Sequence, residues 1–141
     1  MNQDTNKKGL LTELKILQWA IEHNISVSIP FGEKERYDMI WDIYNHLLRI
    51  QVKTPKIADE LGETLTFNCY SVSNGKKHKY TKEEIDFFAI YYNEQVYLIP
   101  IEECSISKKI RLADSRDTAK YANKVNWAKD YLAEEVLQKL V

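Results

Sequence analysis

Arg36-Tyr37-Asp38-Met39-Ile40-Trp41-Asp42-Ile43-Tyr44-Asn45-His46-Leu47-Leu48-Arg49-Ile50-Gln51-Val52-Lys53-Thr54 is the stretch on which the reading of this chain turns. Its β-branched and aromatic residues fall in two short runs on either side of a polar break, so residues 37–43 and 47–53 read as strands around a turn near Asn45-His46. Side chains alternate faces along a strand, which puts Asp38, Ile40 and Asp42 on one face of the first strand. Leu47, Arg49, Gln51 and Lys53 share a face of the second. A two-residue loop at Asn45-His46 sets Asp38 across from Lys53 and Ile40 across from Gln51. A four-residue loop keeps that pairing and a three-residue loop destroys it. In the kept register Asp38, Gln51 and Lys53 converge on one side of the sheet, although a polar strand face is also what a solvent-facing surface looks like.

The segment before this hairpin reads as a helix over residues 7–23, with Leu10, Leu14, Leu17 and Ile21 at helical spacing as its apolar face and no proline inside. Asn24 is placed to help end it. At about 100° per residue, Glu13 falls among Ile16, Leu17 and Ala20, inside the apolar arc rather than opposite it. A carboxylate on the core side must be paired, protonated or bound to a cation, unless it sits at the boundary and reaches water.

Residues 25–29 read as a short strand that Pro30-Phe31-Gly32 breaks, residues 55–63 as a loop, and residues 64–71 as a further strand. Residues 87–92 and 96–101 form a second hairpin around Asn93-Glu94-Gln95. The tail, residues 119–140, is read as a helix with Trp127, Tyr131, Leu132, Val136 and Leu140 on its buried face. Helix, several strands, helix is the order of an α/β layer architecture, a mixed sheet flanked by helices. No repeat, low-complexity stretch or long linker interrupts it, so residues 1–141 are read as one domain.

Composition narrows the class without naming a function. The 44% hydrophobic and 29% charged residues are ordinary for a globular protein. No run approaches the ~18 apolar residues of a membrane span, and no signal-peptide pattern follows the first lysines. A cytoplasmic protein with no membrane partner is the expectation, with Cys69 and Cys104 as reduced thiols. They lack the spacing of a zinc site. The net charge of −1 does not by itself suggest nucleic acid, and the runs Lys76-Lys77-His78-Lys79 and Lys108-Lys109-Ile110-Arg111 read first as solvated loops.

The residue types do suggest a chemistry. Magnesium takes oxygen ligands, usually one or two carboxylates completed by water and substrate phosphate oxygens. Asp38 offers a carboxylate, the Gln51 side-chain oxygen and the Val52 carbonyl are candidate further ligands, and Glu13 binds directly or through water. Lys53 is placed to orient an attacking water or to steady negative charge. His23, His46 and His78 have no nucleophile partner and receive no role, and Asp86 reads as a local cap.

Asp38, then twelve residues, then Gln51-Val52-Lys53, with Glu13 on the preceding helix, resembles the PD-(D/E)XK nuclease superfamily. Gly9-Leu10 before Glu13, Arg36-Tyr37 before Asp38, Tyr80, Glu84-Ile85-Asp86-Phe87-Phe88-Ala89 and Val96-Tyr97-Leu98-Ile99-Pro100 continue the likeness, over about residues 7–103. Within the superfamily the chain is most similar to group I intron homing endonucleases of this type, which also resemble archaeal Holliday junction resolvases. The resemblance implies a restriction-endonuclease-like core and a metal-dependent endonuclease cutting double-stranded DNA at a specific site. It implies Glu13, Asp38, Gln51 and Lys53 as catalytic residues, with Mg2+ as cofactor and Mn2+ as a substitute. A homo-oligomer, dimer or tetramer, would follow from the need to cut two strands. Under it Lys7, Lys8, Arg36, Lys76, Lys77 and Lys79 become candidate contacts to the DNA backbone. The departure is Gln51, where most of the superfamily has Asp or Glu; glutamine is known in the homing branch. A junction resolvase and an inactive DNA-binding module on the same fold are the alternatives.

Overall fold

The computed structural model describes residues 2–112 and 125–141. α1 (Asn2–Glu22) is followed by β1 (Ser26–Ser28), β2 (Met39–Ile43) and β3 (His46–Val52). Next come β4 (Lys56–Ile57), β5 (Thr64–Asn68), β6 (Tyr70–Ser73) and β7 (Lys76–Lys79). β8 (Phe87–Tyr92), β9 (Gln95–Pro100), β10 (Ser107–Arg111) and α2 (Ala133–Gln138) complete the chain. A five-stranded sheet has the order β1-β2-β3-β8-β9, and only the β3–β8 pairing in it is parallel. β10, β5 and β4 form a second sheet, and β6 and β7 form a separate ribbon. The expected mixed sheet with helices is therefore present.

Burial explains the layering. Ala89, Val96 and Leu98 pack with Ile16, Trp19 and Ala20 of α1 and with Val136 and Leu137 of α2. Phe88, Ile90, Tyr97 and Ile99, the alternate residues of the same two strands, pack against Leu65 and Phe67 of β5 and Ile110 of β10. Helices thus cover one face of β8–β9 and the small sheet covers the other. This is why those strands read as unbroken apolar runs rather than alternating ones.

The first hairpin closes through Tyr44-Asn45, not Asn45-His46. Ile43 pairs with His46, and both turn residues have positive φ, 52° and 64°. That conformation matches the right-handed twist of the strands, which overrides the unfavourable residue types. The register moves by two, pairing Met39 with Ile50 and Ile40 with Arg49. A shift of two preserves the faces, so Asp38, just before β2, comes beside Gln51 instead of Lys53.

α1 is a helix that ends as expected. Asn24 takes φ 61°, and Asn24 N–H and Ile25 N–H bond back to the Ile21 and Ala20 carbonyls, closing the last turn. Its core face differs from the expected one. Thr12, Ile16, Trp19 and Ala20 are buried, whereas Leu10, Leu14 and Ile21 are exposed, forming a stripe roughly 155° round the helix. Glu13, half-buried beside Ile16 and Ala20, holds the position expected of it.

Other differences have local causes. The expected strand over residues 64–71 breaks at Cys69, so that β5 joins the second sheet and β6 starts the ribbon. The first lysine run is a strand, because Asn74-Gly75 with φ 52° and 75° makes a tight hairpin of β6 and β7. The second run is β10: Lys108 is buried, donating to the Glu103 carbonyl at 3.2 Å with its ammonium 5.5 Å from the Tyr131 ring centre. The expected tail helix, 119–140, lies outside the described residues over 119–124. Beyond them it is replaced by a 3-10 turn at Ala128–Tyr131 and the six residues of α2. Tyr131 and Val136 are buried as expected.

Glu94 follows Asn93 in the β8–β9 turn at φ 65°, a conformation that costs a non-glycine residue about 1 kcal/mol. Glu94→Gly makes an Asn-Gly turn and is expected to add roughly 0.5–1 kcal/mol in urea unfolding, net of the backbone freedom glycine gains. An unchanged or lower midpoint would show that the turn is not strained.

Candidate active site

Asp38 is fixed by β3 at both ends of the residue. Its N–H donates to the Ile50 carbonyl at 2.8 Å, and its Oδ2 accepts from Val52 N–H at 2.8 Å. Val52 is the last residue of β3, and Lys53 N–H then bonds to the Ala89 carbonyl at 3.0 Å, so β8 sets where the strand leaves the sheet. α1 brings Glu13 to the same place, and the Thr12 hydroxyl next to it lies 3.0 Å from the Thr54 hydroxyl. That bond ties the helix to the exit of β3.

Glu13, Asp38, Gln51, Val52 and Thr54 line one open pocket of about 500 Å³, together with Thr5, Asn6, Gly9 and Leu10. α1 covers the face of the sheet that carries Leu48 and Ile50, whereas Gln51 and Lys53 project to the opposite face. Glu13 therefore meets Asp38 around the end of the hairpin. Lys53 does not line the pocket; its Nζ donates to the Tyr70 carbonyl at 2.9 Å and lies 5.0 Å from the Tyr80 ring centre.

The Gln51 amide is oriented by what surrounds it. Turned to match donors with acceptors, the amide sets Nε2 towards the Arg36 carbonyl and, at 3.3 Å, Asp38 Oδ2, and its Oε1 accepts from the Tyr80 hydroxyl at 3.2 Å; turned the other way, Nε2 donates to the Val52 carbonyl at 3.3 Å. Arg36 is taken up by the protein itself. Its guanidinium donates to Glu84 Oε1, Ser71 Oγ and the His78 and Lys79 carbonyls and stacks 3.8 Å from the Tyr80 ring centre. This leaves it a fixed positive charge beside the site instead of a free phosphate donor. Asp86 does act locally, accepting from Arg49 N–H and Nε at 2.8 and 3.1 Å where β3 and β8 begin to pair.

Electrostatics mark the same residues. Burial, then the charge of Asp38, raises Glu13 above the usual carboxylate range. Burial raises Asp38 as well, against the Val52 N–H bond and the Lys53 charge, which lower it. Burial lowers Lys53, against the opposing effects of Cys69 and Asp38. Each group is poised towards its neutral form, the signature of charges held in a place made for something else of opposite sign.

The donor set suits a hard cation. Glu13, Asp38, Gln51 and Val52 line one open pocket, and the Gln51 amide brings its oxygen to Asp38 when it turns from Tyr80. Among the described residues no group of three or more His, Cys, Asp or Glu side chains is placed to hold a metal, and the pocket brings together two, Glu13 and Asp38. Lys7 and Lys8 are exposed on α1, as are Lys76, Lys77 and Lys79 on β7. Thr54 and Tyr80 are the site residues that sequence reasoning undervalues, Thr54 because a hydroxyl after a strand carries no pattern. Cys69 and Cys104, distant in sequence, lie in contact in the second core, where the hydrogen bond between them lowers Cys69 and raises Cys104.

Comparison with known proteins bears on the family and the fold. A family model described as PD-(D/E)XK endonuclease matches residues 3–134. Among solved structures, the bacterial homing endonuclease I-Ssp6803I is similar at TM-score 0.73 and 19% identity, covering 96% of this chain and 94% of that one. At that identity the likeness is one of fold. No curated protein matches the sequence.

A carboxylate whose folded pKa lies above its unfolded value favours the folded chain only while protonated. Its contribution is lost as pH rises from the ordinary carboxylate range through the folded value. At neutral pH Glu13 thus opposes folding when no cation is bound. Glu13→Gln is expected to melt higher than the parent in EDTA at about pH 7, with the difference closing below about pH 4. A variant no more stable at neutral pH would contradict the burial argument.

Proposed function

The chain belongs to the PD-(D/E)XK endonuclease family, and from that premise we propose that it is a magnesium-dependent endonuclease hydrolysing phosphodiesters of double-stranded DNA at a specific site, as a homing enzyme does. The observation that carries the reading is the convergence of Glu13, Asp38 and Gln51 on one pocket at the end of β3, with Lys53 near enough to shift Asp38. Magnesium held there would offset the charge growing on the phosphate and acidify a bound water, and manganese is expected to replace it.

The protein's own groups have separable tasks. Val52 N–H occupies Asp38 Oδ2 and so fixes the direction of the other carboxylate oxygen. Glu13, carried on a different element, contributes a second carboxylate, and Gln51 keeps the third position uncharged. Lys53 uses one N–H on the Tyr70 carbonyl and keeps two donors for the attacking water or a phosphate oxygen. Lys7 and Lys8 precede pocket residues Gly9 and Leu10, while the β6–β7 ribbon joins the site through Tyr70. Basic side chains therefore stand next to the pocket on α1 and on the ribbon that Lys53 contacts, which supports contact with a DNA backbone despite the net charge of −1. Cutting two strands calls for two sites, so we place the chain in a homo-oligomer, dimer or tetramer, for which Leu14 and Ile21 offer exposed apolar surface.

Cleavage of plasmid, genomic and four-way-junction DNA, with magnesium and with EDTA, tests the reading. Lys53→Ala and Asp38→Ala are each expected to lower the magnesium-dependent rate at least ~100-fold with the fold intact. An active Asp38→Ala protein would sink the mechanism. Preferential cutting of junctions would make the chain a resolvase, and metal binding without cleavage would make it a binding module. Replacing Lys76, Lys77 and Lys79 together by alanine is expected to weaken DNA binding on every sequence. It should also reduce the slope of log K against log salt by about 1 for each phosphate that the variant no longer neutralises.

A further inference from the structure

Tyr80 is buried at the end of the β6–β7 ribbon, where its N–H bonds to the Cys69 carbonyl at 3.2 Å. Its ring meets Phe88 edge-on, with centroids 5.5 Å apart, and has the Arg36 guanidinium at 3.8 Å and the Lys53 ammonium at 5.0 Å. Its hydroxyl lies 3.2 Å from Gln51 Oε1. We propose that Tyr80 is a positioning residue for this site, its hydroxyl selecting the orientation of the Gln51 amide and its ring holding the Lys53 ammonium. The inference rests on the reading of Gln51 and Lys53 as catalytic residues.

A carboxylate at position 51 would present two equivalent oxygens and need no such selection. An amide presents one acceptor and one double donor, and a half-turn exchanges them. With no cation bound, Asp38 Oδ2 and the Arg36 carbonyl draw Nε2 towards themselves, and the Tyr80 hydroxyl donates to Oε1. To place Oε1 with Asp38 on a cation, the amide must turn, and Nε2 then faces Tyr80. A hydroxyl both donates and accepts, so Tyr80 partners the amide in either orientation. A tyrosine hydroxyl carries its proton at neutral pH. Arg36 holds the ring, being itself fastened to Glu84, Ser71 and the carbonyls of His78 and Lys79. The combination of glutamine and tyrosine replaces the charge of a third carboxylate with a selectable oxygen.

Tyr80→Phe keeps the ring, and with it the packing against Phe88, Arg36 and Lys53, and removes only the hydroxyl. In metal-free protein labelled with 15N-glutamine, the Gln51 side-chain NH2 pair, assigned by its disappearance in Gln51→Glu, is expected to shift or broaden in Tyr80→Phe. The other glutamine resonances should stay in place and report an intact fold. Calorimetric Mn2+ titration of the four proteins completes the cycle. Tyr80→Phe should weaken Mn2+ about 10-fold where residue 51 is glutamine and less than about twofold in the Gln51→Glu background. Equal losses in both backgrounds, or an unmoved Gln51 NH2 pair, would overturn the proposal. The NMR result judges Tyr80 even in a protein that cuts no DNA, whereas failure of cleavage judges the nuclease reading.

Discussion

β8 is buried on both faces, with Phe88 and Ile90 in one core and Ala89 in the other, and the rest of the molecule is placed against it. A strand with apolar side chains on both sides needs a cover on each, which α1 and α2 supply on one face and the β5–β10 sheet on the other. β9 takes one edge of β8 and β3 the other, where the long connection through residues 53–86 brings β3 and β8 together in parallel. The pairing ends at Val52 and Ala89, and the chain leaves the sheet at Lys53. The location of the site is thus a consequence of where β8 stops supporting β3. Arg49 and Asp86 clamp the other end of the same pairing, which prevents the register from sliding.

The site works against the fold that carries it. Burial opposes the ionised forms of Glu13 and Asp38 and of Lys53, so the two acids are raised and the base is lowered. An ion pair would relieve this, but Lys53 is directed to the Tyr70 carbonyl, and Asp38 is satisfied by a backbone N–H rather than by an arginine. Arg36, the nearest guanidinium, is committed to Glu84 and to carbonyls of the ribbon. Charges left partly uncompensated in a pocket open to solvent favour a cation and a polyanion from outside. Gln51 moderates the arrangement, since a third carboxylate would add repulsion between acids that burial already raises.

Legibility in the sequence follows physical scale. Glu13 is readable because helix geometry fixes angles from numbering alone, and it does lie with Ile16 and Ala20. The convergence of Asp38 and Gln51 is readable because a register error of two residues changes partners and not faces. The leucine stripe misleads, since Leu10, Leu14, Leu17 and Ile21 satisfy helical periodicity as well as the true core face does. Only packing against β8 selects Ile16, Trp19 and Ala20. The ribbon is hidden behind its charge: Lys76-Lys77-His78-Lys79 reads as a loop, although Asn74-Gly75 is the strongest hairpin turn in the sequence. Lys108 is illegible in principle, because its burial depends on the Glu103 carbonyl and on Tyr131, which lies more than twenty residues away.

The ribbon and the catalytic strand share more than proximity. Tyr70, the first residue of β6, receives the Lys53 ammonium on its carbonyl, and its ring lies 4.7 Å from Lys77 Nζ. Tyr80, which follows β7, contacts Gln51 through its hydroxyl and lies beside Lys53 and Arg36 through its ring. Both ends of the ribbon are therefore attached to the site, while its lysines are exposed. A load placed on those lysines by a bound polyanion would be transmitted to Lys53 and Gln51 through two short connections and no intervening loop. The ribbon belongs to neither sheet, and its flanking residues Cys69 and Tyr80 are buried in the second core. If the ribbon lysines engage DNA as proposed, that engagement and the alignment of Lys53 and Gln51 are joined by covalent neighbours, Cys69-Tyr70 and Lys79-Tyr80.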